Sequence, residues 1–443
     1  MNKATYFFED NFRFLLKFRL FMPIRKGTII TDGEKAMKMI KKLSSTAIAF
    51  IFTLTALSAA ASFNGYGGLK GDLKSKEDSE FFDPIMNLTG FFQGQFNFSE
   101  NLFFNTEMSI STDDVIDTKL TEDTRAVFCF DELSLTYVKN FLGATQFFSI
   151  FKGTYTPLGA NQFLSQQFGI SPVNSFITDS FYGNKCASPY SINGLGLSYS
   201  IRLNSSPMAF AGYFYKNNDN PDGLRQFNLD FRFATVRKYL TLDVLGGIGL
   251  PSKNKDKNDN DVILLVDEVY LHSGMNLLIG NYYTSSLFIQ AGFSSLPVKK
   301  SNAKIEISDE QIFLLVEPRF HFKNSQMHIS FFNIPAGQNE KMEFADGNLG
   351  FNINIFTENF FIRNKNIKFG FSTSFSYEER YLKDLPNLKD FYKDTCSVKT
   401  SPYLVVPVLS GDLSLMFQAK LSEFPAGKWK QNINFTLGYK SYF

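Results

Sequence analysis

From residue 64 to residue 443 the chain repeats one pattern: a run in which apolar and polar residues alternate one by one, then a connector, then another such run. Strict alternation makes a strand with one apolar and one polar face, because successive side chains leave opposite sides of an extended backbone. The last run shows this cleanly. Ile433, Phe435, Leu437, Tyr439 and Phe443 share one parity, and Asn432, Asn434, Thr436, Gly438 and Lys440 share the other. A run in mid-chain does the same, with Phe227, Leu229, Phe231 and Phe233 on one side and Gln226, Asn228, Asp230 and Arg232 on the other.

The connectors carry the second constraint. After a weak, Gly-rich first run, Asn64 to Leu73, the runs come in pairs joined by tight turns. Met86 to Phe98 turns at Ser99-Glu100-Asn101 into Leu102 to Ser111, and Arg125 to Val138 turns at Lys139-Asn140 into Ala144 to Tyr155. Tyr190 to Leu203 leads to Met208 to Lys216, and Leu224 to Val236 leads to Tyr239 to Leu250. Val266 to Ile279 leads to Ser285 to Phe293, and Gln311 to Phe322 leads to Gln326 to Ile334. Asn348 to Phe356 pairs with Ile367 to Phe375 through a longer connector, and Pro402 to Leu409 turns at Ser410-Gly411 into Leu413 to Leu421. Between pairs lie long, irregular loops such as Thr156–Pro189, Pro335–Asp346 and Ser376–Ser401. The count is about eighteen strands, with sixteen as the alternative. A soluble sandwich has no reason to alternate loop length so regularly, and each of its Phe-rich strands would need its own core partner. An all-β, transmembrane, antiparallel up-and-down β-barrel meets both demands: lipid accepts every apolar face, and closure removes the strand edges. Long outer loops and short periplasmic turns are part of that expectation.

Composition agrees. Phe is extreme at 52 of 443 residues and Tyr adds 19, both strand formers. The formal net charge of +2 leaves no nucleic-acid footprint.

Ahead of the alternating region, Met37 to Lys42 is a basic stretch, Ala47 to Leu57 is apolar, and Ala59-Ala60-Ala61 is a small-residue cleavage site. Together these predict a secretory signal peptide over 37–61, cut between Ala61 and Ser62. Residues 1–36 precede a complete signal peptide and read as an upstream extension from an over-long gene start. The mature barrel is then 62–443.

Signal peptide, alternating strands, alternating loop lengths and terminal Phe443 together resemble the porin-like outer-membrane β-barrels of diderm bacteria. In that family the closing strand, here with Tyr439 and Phe443, is the assembly signal; Ser441 stands where the family places an aromatic. The resemblance implies an aqueous pore, bacterial outer-membrane localisation, and outer-membrane lipid, the barrel-assembly machinery and small solutes as partners. Many members fold a long early loop into the barrel. The longest loop here, 156–189, follows the fifth strand and is apolar, with Asp179 and Lys185 its only charges. If it turns inward, Gln162, Phe163, Gln166, Phe168, Phe176, Asp179 and Lys185 form an aromatic and amide-rich constriction with weak ion selectivity. The alternative is a surface loop packed on its neighbours.

Inward parity nominates Gln93, Gln95, Glu107, Asn228, Asp230, Arg232, Glu317 and Arg319 as pore-lining. Their charges either pair along the wall or set a mixed field across the pore. The same parity predicts that Leu229→Arg impairs folding while Asn228→Arg is tolerated. No cofactor, metal or catalytic motif is legible. His272 and Ser273 are adjacent on a strand, so they face opposite ways and cannot form a base–nucleophile pair. Cys129 falls in a strand, while Cys186 and Cys396 fall in outer loops, where a disulfide is one option. The functional expectation is a non-enzymatic channel for passive diffusion of small solutes. The alternatives are a transporter of hydrophobic substrates, like the fatty-acid-channel family, or an adhesin displayed on a barrel.

Overall fold

The computed structural model describes residues 62–443 apart from 76–82, 117–125, 171–173, 180–185, 219–224, 256–257, 259, 267, 282–283, 300–307, 359, 363–364, 388–395 and 426–431. The predicted signal peptide, the upstream extension, Ala61 and Lys185 lie outside these residues.

The wall begins with β1 (Ser62–Ser75), β2 (Pro84–Ser99), β3 (Leu102–Thr112), β4 (Ala126–Phe141) and β5 (Ala144–Tyr155). It continues with β6 (Ile192–Leu203), β7 (Met208–Asn217), β8 (Arg225–Arg237) and β9 (Leu240–Lys255). The next strand, β10, runs in two segments, Asp261–Val266 and Glu268–Ile279, both paired with β9. Then come β11 (Ser286–Lys299), β12 (Ile312–His321), β13 (Ser325–Asn333), β14 (Leu349–Thr357) and β15 (Lys368–Tyr377). The last three are β16 (Cys396–Val408), β17 (Gly411–Lys420) and β18 (Ile433–Tyr442). Every neighbour pair is antiparallel, and β1 pairs with both β2 and β18, so the sheet closes as an eighteen-stranded barrel.

The seam is tight. Tyr66 sits opposite Tyr442 and Lys74 opposite Asn434. Gly65 and Phe443 exchange two backbone hydrogen bonds of 3.0 and 3.1 Å, and the Phe443 ring stacks on Phe63 at 5.1 Å. The start of β1 and the end of β18 therefore both lie on the short-turn side.

Two turns fall later or earlier than their sequence suggests. The β4–β5 reversal is Leu142-Gly143, not Lys139-Asn140, and both residues have positive φ (51° and 72°). That pairing matches a hairpin turn twisted like its strands. The β16–β17 reversal is Leu409-Ser410, with Leu409 at φ 55°, and Gly411 already belongs to the strand. A leucine at positive φ hides a turn inside what looks like a continuing strand. Strand β16 also begins earlier than Pro402, so Cys396 is a strand residue opposite Tyr377 rather than a loop residue. All three cysteines are free thiols.

Alternation sorts the two faces. On β8, Leu229 and Phe231 are 38% and 64% exposed on the outside, while Asn228 and Asp230 between them are 1% and 0% exposed. Phe128, Phe130, Ile150, Leu197, Phe214, Phe331 and Phe371 extend the exposed apolar outer surface around the barrel. Among the described residues no helix is long and apolar enough to cross a membrane.

Candidate functional site: the lumen and its inward loops

The inner wall is not uniformly polar. On β12, Phe313 and Leu315 share the inward parity of Glu317 and Arg319, and on β11 Phe288 shares that of Gln290. An apolar patch on the inside of a wet barrel needs a cover, since each Phe or Leu taken fully out of water contributes ~1.5–3 kcal/mol. The β5–β6 connection supplies most of it. Its Leu158, Phe163 and Leu164 pack with Phe151, Tyr155, Tyr215 and Leu245 of the wall. Further along, Ile177 and Ala187 join Leu278, Phe288, Phe313, Leu315 and Phe332. Phe176 reaches a third patch, with ring centroids 5.9 Å from Phe356 on β14 and 5.2 Å from Tyr403 on β16. The segment thus follows the inner wall from β5 round to β16.

Within it, the helix α1 (Gln162–Phe168) is bounded by Asn161 and Gly169, both left-handed. Left-handed residues at each end confine the helix to two turns. Phe163, Leu164 and Gln167 form its buried side, and Gln162 and Gln166, one turn apart, lie toward the open lumen.

Buried polar groups pin the same segment. Arg232 holds Asp243 through two hydrogen bonds of 2.8 and 2.6 Å, donates a third to the Thr156 carbonyl at 2.6 Å, and lies 4.4 Å over the Phe163 ring. Arg319 repeats the device: it donates to Glu317 at 2.7 Å and to the Asn174 carbonyl at 3.1 Å, and covers Phe288 at 4.8 Å. Ser175 donates to the far oxygen of Glu317. Arg202 reaches the Gln167 carbonyl at 2.7 Å, and Gln167 donates to Ser200 at 2.9 Å. Where the segment rejoins the wall, the Tyr190 ring stacks on His272 at 4.0 Å. Asn228 donates to the Tyr190 hydroxyl at 2.8 Å, Tyr215 donates to Asp230 at 3.0 Å, and His272 Nε2 lies 2.7 Å from Asp230 Oδ1. Ser273 points the other way, donating to the Leu245 carbonyl at 3.1 Å.

A second connection, residues 334–348, also enters the barrel, which the sequence reading treats as an ordinary outer loop. Met342 and Ala345 join the β10–β13 patch, and Phe344 packs with Phe176, Phe356 and Tyr403. Glu343 pairs with Lys70 of β1 at 3.2 Å, and its carbonyl accepts from Gln418 of β17. Asp346 pairs with Lys399 of β16 at 2.9 Å. Burial would raise the Asp346 carboxyl, but the Lys399 ammonium beside it overrides this and holds it below the ordinary Asp value. The available signal was the trio Met342, Phe344 and Ala345, diluted by charged neighbours.

These two connections divide the predicted pore-lining residues. Asn228, Asp230, Arg232, Glu317 and Arg319 point inward but are sealed under the first loop. They hold the loop in place and do not face open water, so Asn228→Arg would force a guanidinium between Tyr190 and Tyr215, and the expected tolerance does not follow. Gln93 and Gln95 on β2 remain partly exposed, and Glu107 on β3 is buried. Of the predicted constriction residues, Phe163 is wholly buried against the wall, Phe168 packs on the same cluster, Phe176 covers the third patch, and Gln162 and Gln166 face the remaining space.

That space lies between the β1–β5 wall and α1. It is a cavity of about 520 Å³, bounded by amides, hydroxyls and a few rings, with Glu132 its one charged lining side chain among the described residues. Among the described residues no group of three or more His, Cys, Asp or Glu side chains converges to hold a metal.

No protein-family model matches the chain, and no curated protein matches it. Solved structures do. The chain is similar to Salmonella typhi OmpF in complex with daunomycin at 9% identity and a TM-score of 0.39, covering 86% of this chain and 97% of that one. It is similar to a multiply substituted Rh. blastica porin at 9% identity and 0.38, covering 86% and 100%. It is similar to a loop-deleted OmpT, an outer membrane protein of Vibrio cholerae, at 10% identity and 0.37, covering 87% and 100%. Scores this low carry no inference about what the chain does.

Proposed function

We propose that this protein is an outer-membrane channel through which small solutes diffuse passively, exported by a signal peptide cut between Ala61 and Ser62. The observation that carries the reading is the pairing of an apolar outer wall with a polar inner face that two inward loops cover in part, leaving a cavity of about 520 Å³ beside β1–β5. An apolar girdle is what a lipid-facing barrel requires, and a soluble protein would have to cover it. Among the described residues Glu132 is the one charged side chain lining that cavity, which favours weak ion selectivity.

The hydrophobic-transport alternative is less favoured. Among the described residues of the long loop, Phe163, Leu164 and Ile177 are buried against the wall and offer no surface to an apolar solute, while Ile170 is exposed.

Refolded protein in a planar bilayer tests the channel reading. Discrete, nearly ohmic conductance steps, with liposomes swelling in small neutral solutes and not in large ones, are expected. A folded, inserted barrel that leaves the bilayer insulating would refute it.

A further inference from the structure

The cavity beside α1 has a lining that suits one class of solute better than others. Gln93 and Gln95 are two residues apart on β2 and so face inward together, and Asn105 sits opposite Gln95 on β3. From across the space, Gln162 and Gln166 present amides from successive turns of α1. Wall and loop amides therefore converge on one volume. Phe103, Phe147 and Tyr155 add ring surface to the same lining.

Each amide offers a carbonyl acceptor with two lone pairs and two N–H donors, and each hydroxyl of a solute is at once donor and acceptor. An array of amides therefore matches an array of hydroxyls without fixing a charge. An ion entering the cavity would give up hydration to neutral groups, with Glu132 the one charged lining side chain among the described residues to set against it. An apolar solute would strand the amides without partners. Rings beside a few convergent polar groups are a common composition for small-molecule sites, and the volume lies in their ~300–1,000 Å³ range.

We propose that this cavity binds a neutral polyhydroxylated solute of mono- to disaccharide size, its hydroxyls held by Gln93, Gln95, Asn105, Gln162 and Gln166 and its C–H face resting on the rings. The proposal rests on the channel reading only for the route of access. Binding must be weak, since a conducting site has to release what it takes up.

Saturation-transfer NMR on the folded, detergent-solubilised barrel tests it without requiring conduction, with sucrose as probe and sodium glutamate as the charged comparison. Sucrose is expected to give a saturable signal through its ring protons, and glutamate none. Gln93→Met and Gln162→Met keep side-chain length while removing the amide. Each is expected to weaken sucrose binding about fivefold, the effect of one hydrogen bond of ~1 kcal/mol. No saturable sucrose signal, an equal signal from glutamate, or unaltered sucrose affinity in both variants would overturn the assignment. If a variant does not fold, the comparison of sucrose with glutamate on the unaltered barrel decides alone. A barrel that conducts but ignores sucrose sinks this inference and leaves the channel intact; one that binds sucrose but does not conduct does the reverse.

Discussion

Arg232 is the point at which the wall grips the root of the long loop, and its removal has a calculable consequence. The side chain and its partner Asp243 are almost wholly buried, joined by two short hydrogen bonds, with a third from Arg232 to the Thr156 carbonyl. Arg232→Met leaves Asp243 as a buried charge without its partner, which costs ~3–5 kcal/mol in comparable buried pairs. Removing the charge as well, in Arg232→Met/Asp243→Leu, should restore most of that, because apolar replacement of a whole buried pair is near neutral. The Thr156 carbonyl remains undonated in both, a residual ~1–3 kcal/mol located at the loop root. Two assays separate these effects. Urea titration read by heat-modifiable gel mobility should show the single variant strongly destabilised and the double variant recovered. Single-channel recording should show excess current noise in both, since both release the loop root. A single variant within about 1 kcal/mol of wild type, or a double variant as unstable as the single, would refute the buried-pair reasoning.

Three further outcomes follow. Leu229→Arg, on the apolar outer side of β8, should lower folded yield by the equivalent of ~2–4 kcal/mol if that side faces lipid, while Gln95→Arg, beside the cavity, should fold normally; equal damage at both would mean the outer face is not in lipid. Deleting Phe443 removes both backbone bonds to Gly65 and the stack on Phe63, and should reduce the folded fraction on gels; an undiminished yield would show that the seam does not depend on it. The Asp346–Lys399 tether is favoured by a lowered carboxyl pKa, so its stabilisation is complete above the ordinary Asp value of 3.8 and is lost as pH falls through the lowered one. Protease susceptibility of the 334–348 loop should therefore stay flat from neutral pH down to that window and rise below it, and Asp346→Asn should raise it already at neutral pH; a rise near pH 6 would implicate another group.

The wall was legible because a barrel strand writes its facing into the sequence with a period of two, and all eighteen strands could be placed to within several residues. The errors have local causes. Leu142 and Leu409 occupy turn positions at positive φ that apolar residues seldom adopt, so the strands seemed to continue or stop elsewhere. The lumen was harder to read. Parity told that Asn228, Asp230 and Glu317 face inward, but not whether water or protein lies over them, because that depends on loops contacting residues more than a hundred positions away, as Ser175 does with Glu317. The sequence signal for a cover is apolar residues at inward positions: Phe288, Phe313, Leu315, Phe332 and Phe356 mark where a lumen must be covered. The same signal accounts for the second loop, through Met342 and Phe344.

If the barrel is a membrane-spanning channel whose bore the 156–191 connection restricts, single-channel conductance with and without residues 162–184 must differ. The deletion takes no wall strand, so the barrel should still fold and insert. Discrete channels in the intact protein, and larger steps admitting larger solutes after deletion, are the predicted result. Identical conductance in the two folded proteins, or none in either, would contradict it.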